Sequence, residues 1–143
     1  MKAIRLIALA ACMAATLDAS AQEQEIRLFS HRGGRMEHDE NTLSAFQASY
    51  DAGYRGFETD IRMTRDGALV ITHDSSLERT TDGTGTVEEK TEAEIRQLAT
   101  KQGNKMMFLD ELLEFLKGKE GLYVEFEMKT KPEALYPEER LHA

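Results

Sequence analysis

Between residues 26 and 129 the apolar side chains switch repeatedly between strand-like alternation and helical spacing, and few folds accept that pattern. Ile26-Arg27-Leu28-Phe29-Ser30 alternates apolar with polar residues and predicts a strand that ends at His31. Asn41 or Thr42 can cap the helix that follows, in which Leu43, Phe46 and Tyr50 recur at helical spacing, and Gly53 stands just beyond it. Phe57 to Met63 and Ala68 to His73 predict two more strands, joined by the turn Thr64-Arg65-Asp66-Gly67. Asp74 to Val87 is polar and rich in Thr, Asp and Gly, which predicts a loop. Thr91-Glu92-Ala93-Glu94 is a capping box that opens a helix with Ile95 and Leu98 on its inner face. A further helix runs from about Asp110 to Lys117 and ends at Gly118. Leu122 to Lys129 alternates strictly, with Leu122, Val124, Phe126 and Met128 on one face and Glu125, Glu127 and Lys129 on the other. Strands alternating with helices predict one α/β domain with a largely parallel sheet.

The N-terminus reads differently. Lys2 and Arg5 give a positive start, Leu6 to Leu17 is an alanine-rich apolar run, and Ala19-Ser20-Ala21 offers the small residues a signal peptidase reads. This predicts an export signal over 1–21, a domain over 22–143, and a periplasmic or secreted destination. The apolar run is too short to span a bilayer, and nothing later in the sequence reads as a transmembrane segment. Leu9-Ala10-Ala11-Cys12 also resembles a bacterial lipoprotein processing site that would tether the chain through Cys12; otherwise Cys12 is a small apolar residue of the signal core. Cleavage after Ala21 leaves no cysteine, so disulfides are not what stabilises the exported chain.

Removing Lys2, Arg5 and Asp18 from 18 basic and 26 acidic residues leaves 16 and 25, a net charge of −9. That balance argues against nucleic acid and anionic membranes as partners. A small anionic substrate stays open, provided a bound cation and a few basic side chains reverse the local field.

Glu58 and Asp60 share one face of their strand, roughly 7 Å apart along it. Burying two acids there is costly unless something offsets their charge. A divalent cation does so, and oxygen ligands favour Mg²⁺ or Ca²⁺ over zinc. The plainer alternative is a solvated strand face, since Phe57, Thr59 and Ile61 make a weak core face on their own. Glu127, on a second and similar strand, tips the balance toward a metal site. Counting outward from the Asp66-Gly67 turn brings His73 back to about the level of Glu58 and Asp60. His31 and His73, each at a strand end, suit proton transfer near neutral pH. Arg32 can donate two bonds to a phosphate, and Lys129 shares the face of Glu127; ordinary ion pairs are their alternative. His38 and His142 lie in polar, non-periodic surroundings and receive no role. Asp82-Gly83-Thr84-Gly85 lacks the lysine and helix of a P-loop and reads as a turn.

His31-Arg32-Gly33, Glu40-Asn41-Thr42-Leu43-Ser44-Ala45-Phe46 and Gly56-Phe57-Glu58-Thr59-Asp60-Ile61 resemble the glycerophosphodiester phosphodiesterase family in order and spacing. So do Thr64-Arg65-Asp66-Gly67, Val70-Ile71-Thr72-His73-Asp74, Arg79-Thr80-Thr81 and Glu127-Met128-Lys129. The resemblance implies a (β/α)₈ TIM-barrel fold with its site at the C-terminal ends of the strands. It implies that Glu58, Asp60 and Glu127 hold Ca²⁺ or Mg²⁺, that His31 and His73 form the acid–base pair, and that Arg32 and Lys129 bind substrate. The implied reaction cleaves a small-molecule glycerophosphodiester to glycerol 3-phosphate and an alcohol. In it the glycerol 2-hydroxyl attacks phosphorus and water later opens the cyclic phosphate.

Asp39 departs from the proline that often precedes Glu-Asn-Thr in the family, a change confined to the loop. Such a barrel needs roughly 250 residues, so the sequence is expected to hold an incomplete barrel of about four strands, the N-terminal half to two-thirds. The missing C-terminal half of the barrel then counts among its partners, and the chain alone is expected to be weakly active at best. Two other readings stay open: a phosphoinositide-phospholipase-like diesterase, and an exported protein that binds metal or headgroup without turnover.

Overall fold

The computed structural model describes residues 27–130 and Tyr136. The export signal, Cys12, Ile26 and His142 lie outside the described residues. Four strands form one sheet around β2 (Gly56–Met63). β1 (Phe29–His31) runs parallel beside its first half, with Ser30 opposite Phe57 and His31 opposite Glu58. β3 (Leu69–Ile71) folds back antiparallel beside its second half, with Ile61 opposite Ile71. β4 (Tyr123–Met128) runs parallel along the other edge, with Glu58 opposite Glu125 and Asp60 opposite Glu127. The tight turn into β3 needs φ +93° at Gly67, which donates its N–H to the Thr64 carbonyl at 3.0 Å.

Helices supply the crossovers between parallel strands. α1 (Leu43–Asp51) begins at Thr42, whose hydroxyl accepts from the Ala45 N–H at 3.3 Å, so Thr42 rather than Asn41 is the cap. The capping box at Thr91 is present, but the helix it opens, α2 (Glu92–Ile95), is one turn long and stops short of Leu98. α3 (Leu109–Leu116) precedes β4.

The expected weak core face of β2 is corrected: Phe57 and Thr59 are fully buried and Ile61 is nearly so. The helices provide what the strand lacks. Phe46 of α1 meets Phe57 edge-on at 5.6 Å, and Phe115 of α3 lies 6.5 Å from it, within a core that also holds Ile71, Met107 and Leu112. Residues 74–86 form a loop, Val87 opens a short 3-10 turn (Val87–Glu89), and Leu77 and Val87 anchor the segment in a second cluster with Val70, Ile95, Met106 and Phe108. The strict alternation of β4 does not become burial. Phe126 is 40% and Met128 49% exposed, and among the described residues no strand pairs on β4's outer edge. Parallel strands joined by helices on one side make this sheet the wall of an incomplete barrel.

Candidate active site

The face of β2 opposite the aromatic core carries Glu58, Asp60 and Arg62. Register assembles the rest, since partners directly across parallel strands share a face. His31, opposite Glu58, brings Nε2 to 3.5 Å from Oε2, and Glu127 stands opposite Asp60. Carboxylate oxygens of Glu58, Asp60 and Glu127 lie within 4.8 Å of one another. Asp60 is wholly buried, Glu58 largely so, and Glu127 open to solvent.

Asp60 is the centre of charge. Asn41 Nδ2 donates to its Oδ2 at 3.1 Å, and Thr59 Oγ1 fixes the other end of that amide at 3.1 Å. Arg32 Nε approaches Oδ2 at 3.1 Å, close enough for an ion pair although the N–H does not aim at the oxygen. Lys129 Nζ lies 3.2 Å from Oδ1 and 2.5 Å from Glu127. Burial and the neighbouring charge of Asp60 push the Glu58 carboxyl above its ordinary value, outweighing His31 and Arg32. Burial works against charge on Lys129, but its bonds to Glu127 and Asp60 prevail and hold its proton more tightly than usual.

These residues fit a hard divalent cation. The donor set is all oxygen, and Oδ1 of Asp60 is buried with only the Lys129 ammonium beside it, at 3.2 Å. Glu58, Asp60 and Glu127 would hold such a cation, which takes oxygen ligands at about 2.0–2.6 Å.

His73 does not join the acids directly. Thr72 donates its N–H to the Asp60 carbonyl at 3.0 Å, so His73 is one residue beyond Asp60's level. Its ring Nδ1 is 2.6 Å from Asp74 Oδ1, and among the described contacts it touches none of Glu58, Asp60 and Glu127. Asp74 is also paired with Arg79, whose hydrogen bond, with that of His73, holds its carboxyl at about 2 against burial. Arg32 and Lys129 are both engaged by acids, the ion-pair alternative of the sequence reading.

The loop after His31 explains Gly33. Its φ is +74°, and a Cβ there would stand 2.9 Å from that of Ala45. Only glycine lets His31 and Arg32 turn this tightly over α1. Larger clefts lie elsewhere: one of about 690 Å³ beside Arg27, Arg55 and Tyr123, another of about 740 Å³ against α1 and α3, neither lined by the acids. Glu40, Asp74 and Arg79 have no role in the sequence beyond the motifs that contain them, and Asn41 has only that of a candidate helix cap. Loop charges have no periodicity, so motif membership was their only signal.

Acids on adjacent parallel strands, with an imidazole at the end of β1, define a strand-end site of the kind that α/β barrels carry. Over residues 31–143 the sequence matches the Glycerophosphoryl diester phosphodiesterase family, and the chain belongs to that family. It is 41% identical over 71 residues to a glycerophosphodiester phosphodiesterase of Caldanaerobacter subterraneus, a stretch covering 50% of this chain and 29% of that one. Human glycerophosphodiester phosphodiesterase 1 is 44% identical over 73 residues, 51% of this chain and 22% of that one. Among solved structures, a glycerophosphoryl diester phosphodiesterase of Parabacteroides distasonis superposes with TM-score 0.68 at 31% identity, over 83% of this chain and 42% of its own. A phosphodiesterase of Oleispira antarctica, solved with sn-glycerol-3-phosphate, gives 0.67 at 31% identity, over 73% and 44%. The chain thus spans less than half of these relatives. Among the described residues no helix is long and apolar enough to cross a membrane.

Proposed function

We propose that this chain supplies the metal-binding and acid–base half of a glycerophosphodiester phosphodiesterase site. Glu58, Asp60 and Glu127 are its cation ligands, for Ca²⁺ or Mg²⁺. When bound, the cation supplies positive charge against the phosphoryl oxygens of a small-molecule glycerophosphodiester. His31 and His73 exchange protons, one accepting from the attacking hydroxyl and the other donating to the departing alcohol. Arg32 and Lys129 add positive charge on the substrate side of the acids. The single observation that carries this reading is the convergence of three carboxylates within 4.8 Å, with His31 3.5 Å from one of them.

Isothermal titration of Ca²⁺ and Mg²⁺ into the chain tests the site, beside an assay for glycerol 3-phosphate release from glycerophosphocholine. Glu58→Gln and Glu127→Gln should abolish cation binding. His31→Ala and His73→Ala should keep it while lowering turnover by about 10²-fold or more. Cation binding unaffected by either glutamine variant refutes the metal site. Cation binding that persists in His73→Ala with turnover also unmoved favours the metal- or headgroup-binding alternative. Export through residues 1–21 belongs to the same proposal, resting on Lys2, Arg5 and Ala19-Ser20-Ala21. N-terminal sequencing of exported protein should begin at Gln22, and an intact Met1 would refute it.

A further inference from the structure

Arg79 is the residue whose contacts the mechanism leaves unused. It comes from the polar loop, far in sequence from His31 and β2, yet its guanidinium joins two parts of the site. Nη1 and Nη2 grip the Glu40 carboxylate as a fork, at 3.0 and 2.7 Å. Nε donates to Asp74 Oδ2. The other oxygen of Asp74 meets His73 Nδ1 at 2.6 Å, and Glu40 Oε1 also accepts from Arg32 Nη1 at 3.2 Å. A continuous row of contacts therefore runs from His73 through the alternating charges of Asp74, Arg79, Glu40 and Arg32.

Ion pairs as exposed as those of Arg79, whose side chain is 47% accessible, contribute little to stability. Orientation is what this arrangement is suited to deliver. In a neutral imidazole the nitrogen facing a carboxylate keeps the proton, so the partner of Nδ1 decides the tautomer. A lone aspartate beside the ring can rotate away, whereas one held from behind by a planar fork cannot do so without breaking that grip. The main chain of His73 is secured separately, through the bond of 2.8 Å from Arg62 Nε to its carbonyl.

We propose that Arg79 is a positioning residue: anchored by Glu40, it fixes Asp74 so that His73 carries its proton on Nδ1 and leaves Nε2 as the acceptor. This rests on the reading of His73 as an acid–base group, but its test needs neither substrate nor cation. Long-range ¹H–¹⁵N spectra of the full chain, labelled at histidine and recorded near pH 9 where imidazoles are neutral, report the tautomer of each ring. The native chain should show His73 as a single Nδ1–H tautomer. Arg79→Met should convert it to a mixture while His31 and His38 stay unchanged, and Arg79→Lys should restore it only in part. Asp74→Asn is the positive control for a displaced tautomer. An Nε2–H tautomer in the native chain overturns the proposal. So does a spectrum unmoved by Arg79→Met when Asp74→Asn does move it. If circular dichroism shows that Arg79→Met does not fold, Glu40→Gln is read the same way: a mixture supports the anchor and an unchanged tautomer overturns it. Loss of cation binding or turnover elsewhere in the site bears on the proposed function alone.

Discussion

Glu88→Gln is the substitution whose cost the structure defines most closely. Glu88 is 4% exposed and its Oε1 accepts from Arg62 Nη1 at 2.9 Å and from the Tyr136 hydroxyl at 2.6 Å. Its Oε2 accepts from the Ser75 hydroxyl at 2.6 Å. Arg62 is itself buried, so the amide leaves a cation facing a neutral group inside the protein. Removing one partner of a buried ion pair costs about 3–5 kcal/mol. Glutamine keeps the shape and one carbonyl oxygen, which places the cost near the lower end, about 3 kcal/mol. With a urea m-value of about 1–3 kcal/mol/M, the unfolding midpoint at pH 7 should fall by about 1 M or more. Acid supplies the control. Burial pushes Glu88 up, but hydrogen bonds from Ser75, Tyr136 and Arg62 together outweigh it and hold the carboxyl below its ordinary value of 4.5. A depressed carboxyl stabilises the fold fully above pH 4.5 and loses that contribution as pH falls through the lower folded value. The gap between native and variant should therefore close in that acid range. A loss below about 1 kcal/mol, the level of an exposed pair, refutes the reasoning. So does a gap that persists in acid. Because Arg62 also holds the His73 carbonyl, the variant should loosen that histidine as well.

Glu58→Gln should do the reverse. Burial and Asp60 raise its carboxyl above 4.5, so the native chain gives up stability as pH rises through the folded value. In cation-free buffer the variant should be the more stable at pH 7 and equal to the native chain in acid; a less stable variant at pH 7 refutes the raised value. Gly33→Ala, at φ +74° and with its Cβ 2.9 Å from that of Ala45, should cost more than about 1 kcal/mol in urea unfolding, and a neutral result would mean that the His31 loop is not held as described. Leu112→Ala empties a fully buried site and should cost about 2–5 kcal/mol. Leu113→Ala, at a side chain 47% exposed, should stay within about 0.5 kcal/mol, and equal costs would contradict the placement of α3.

Among the described residues, periodicity located each strand and the long helices to within a few residues, because a one-sided core imposes it. It failed where burial comes from outside the element. Phe57, Thr59 and Ile61 make a full core only once Phe46 and Phe115 arrive from the helices. Leu122, Val124, Phe126 and Met128 alternate as a buried face should, yet Phe126 and Met128 are exposed. The acid cluster was readable because two residues along a strand return a side chain to the same face, and register then carries Glu127 across to Asp60. The approach of His73 was not, since a count along β3 gives its height but not its partner, Asp74. Asn41, Glu40 and Arg79 hold the site from loops, where spacing along the sequence says nothing of spacing in three dimensions.

β2 has no idle side. Aromatic rings cover Phe57 beneath, carboxylates crowd Glu58 and Asp60 above, and strands occupy both of its edges. A slip of a single residue against β1 or β4 would drive both acids into the hydrocarbon interior and turn Phe57 out among the charges. Its pairing is therefore locked by two incompatible surroundings at once. Variation that tunes the chemistry has little room on this strand and must be taken up by the loops that lean over it.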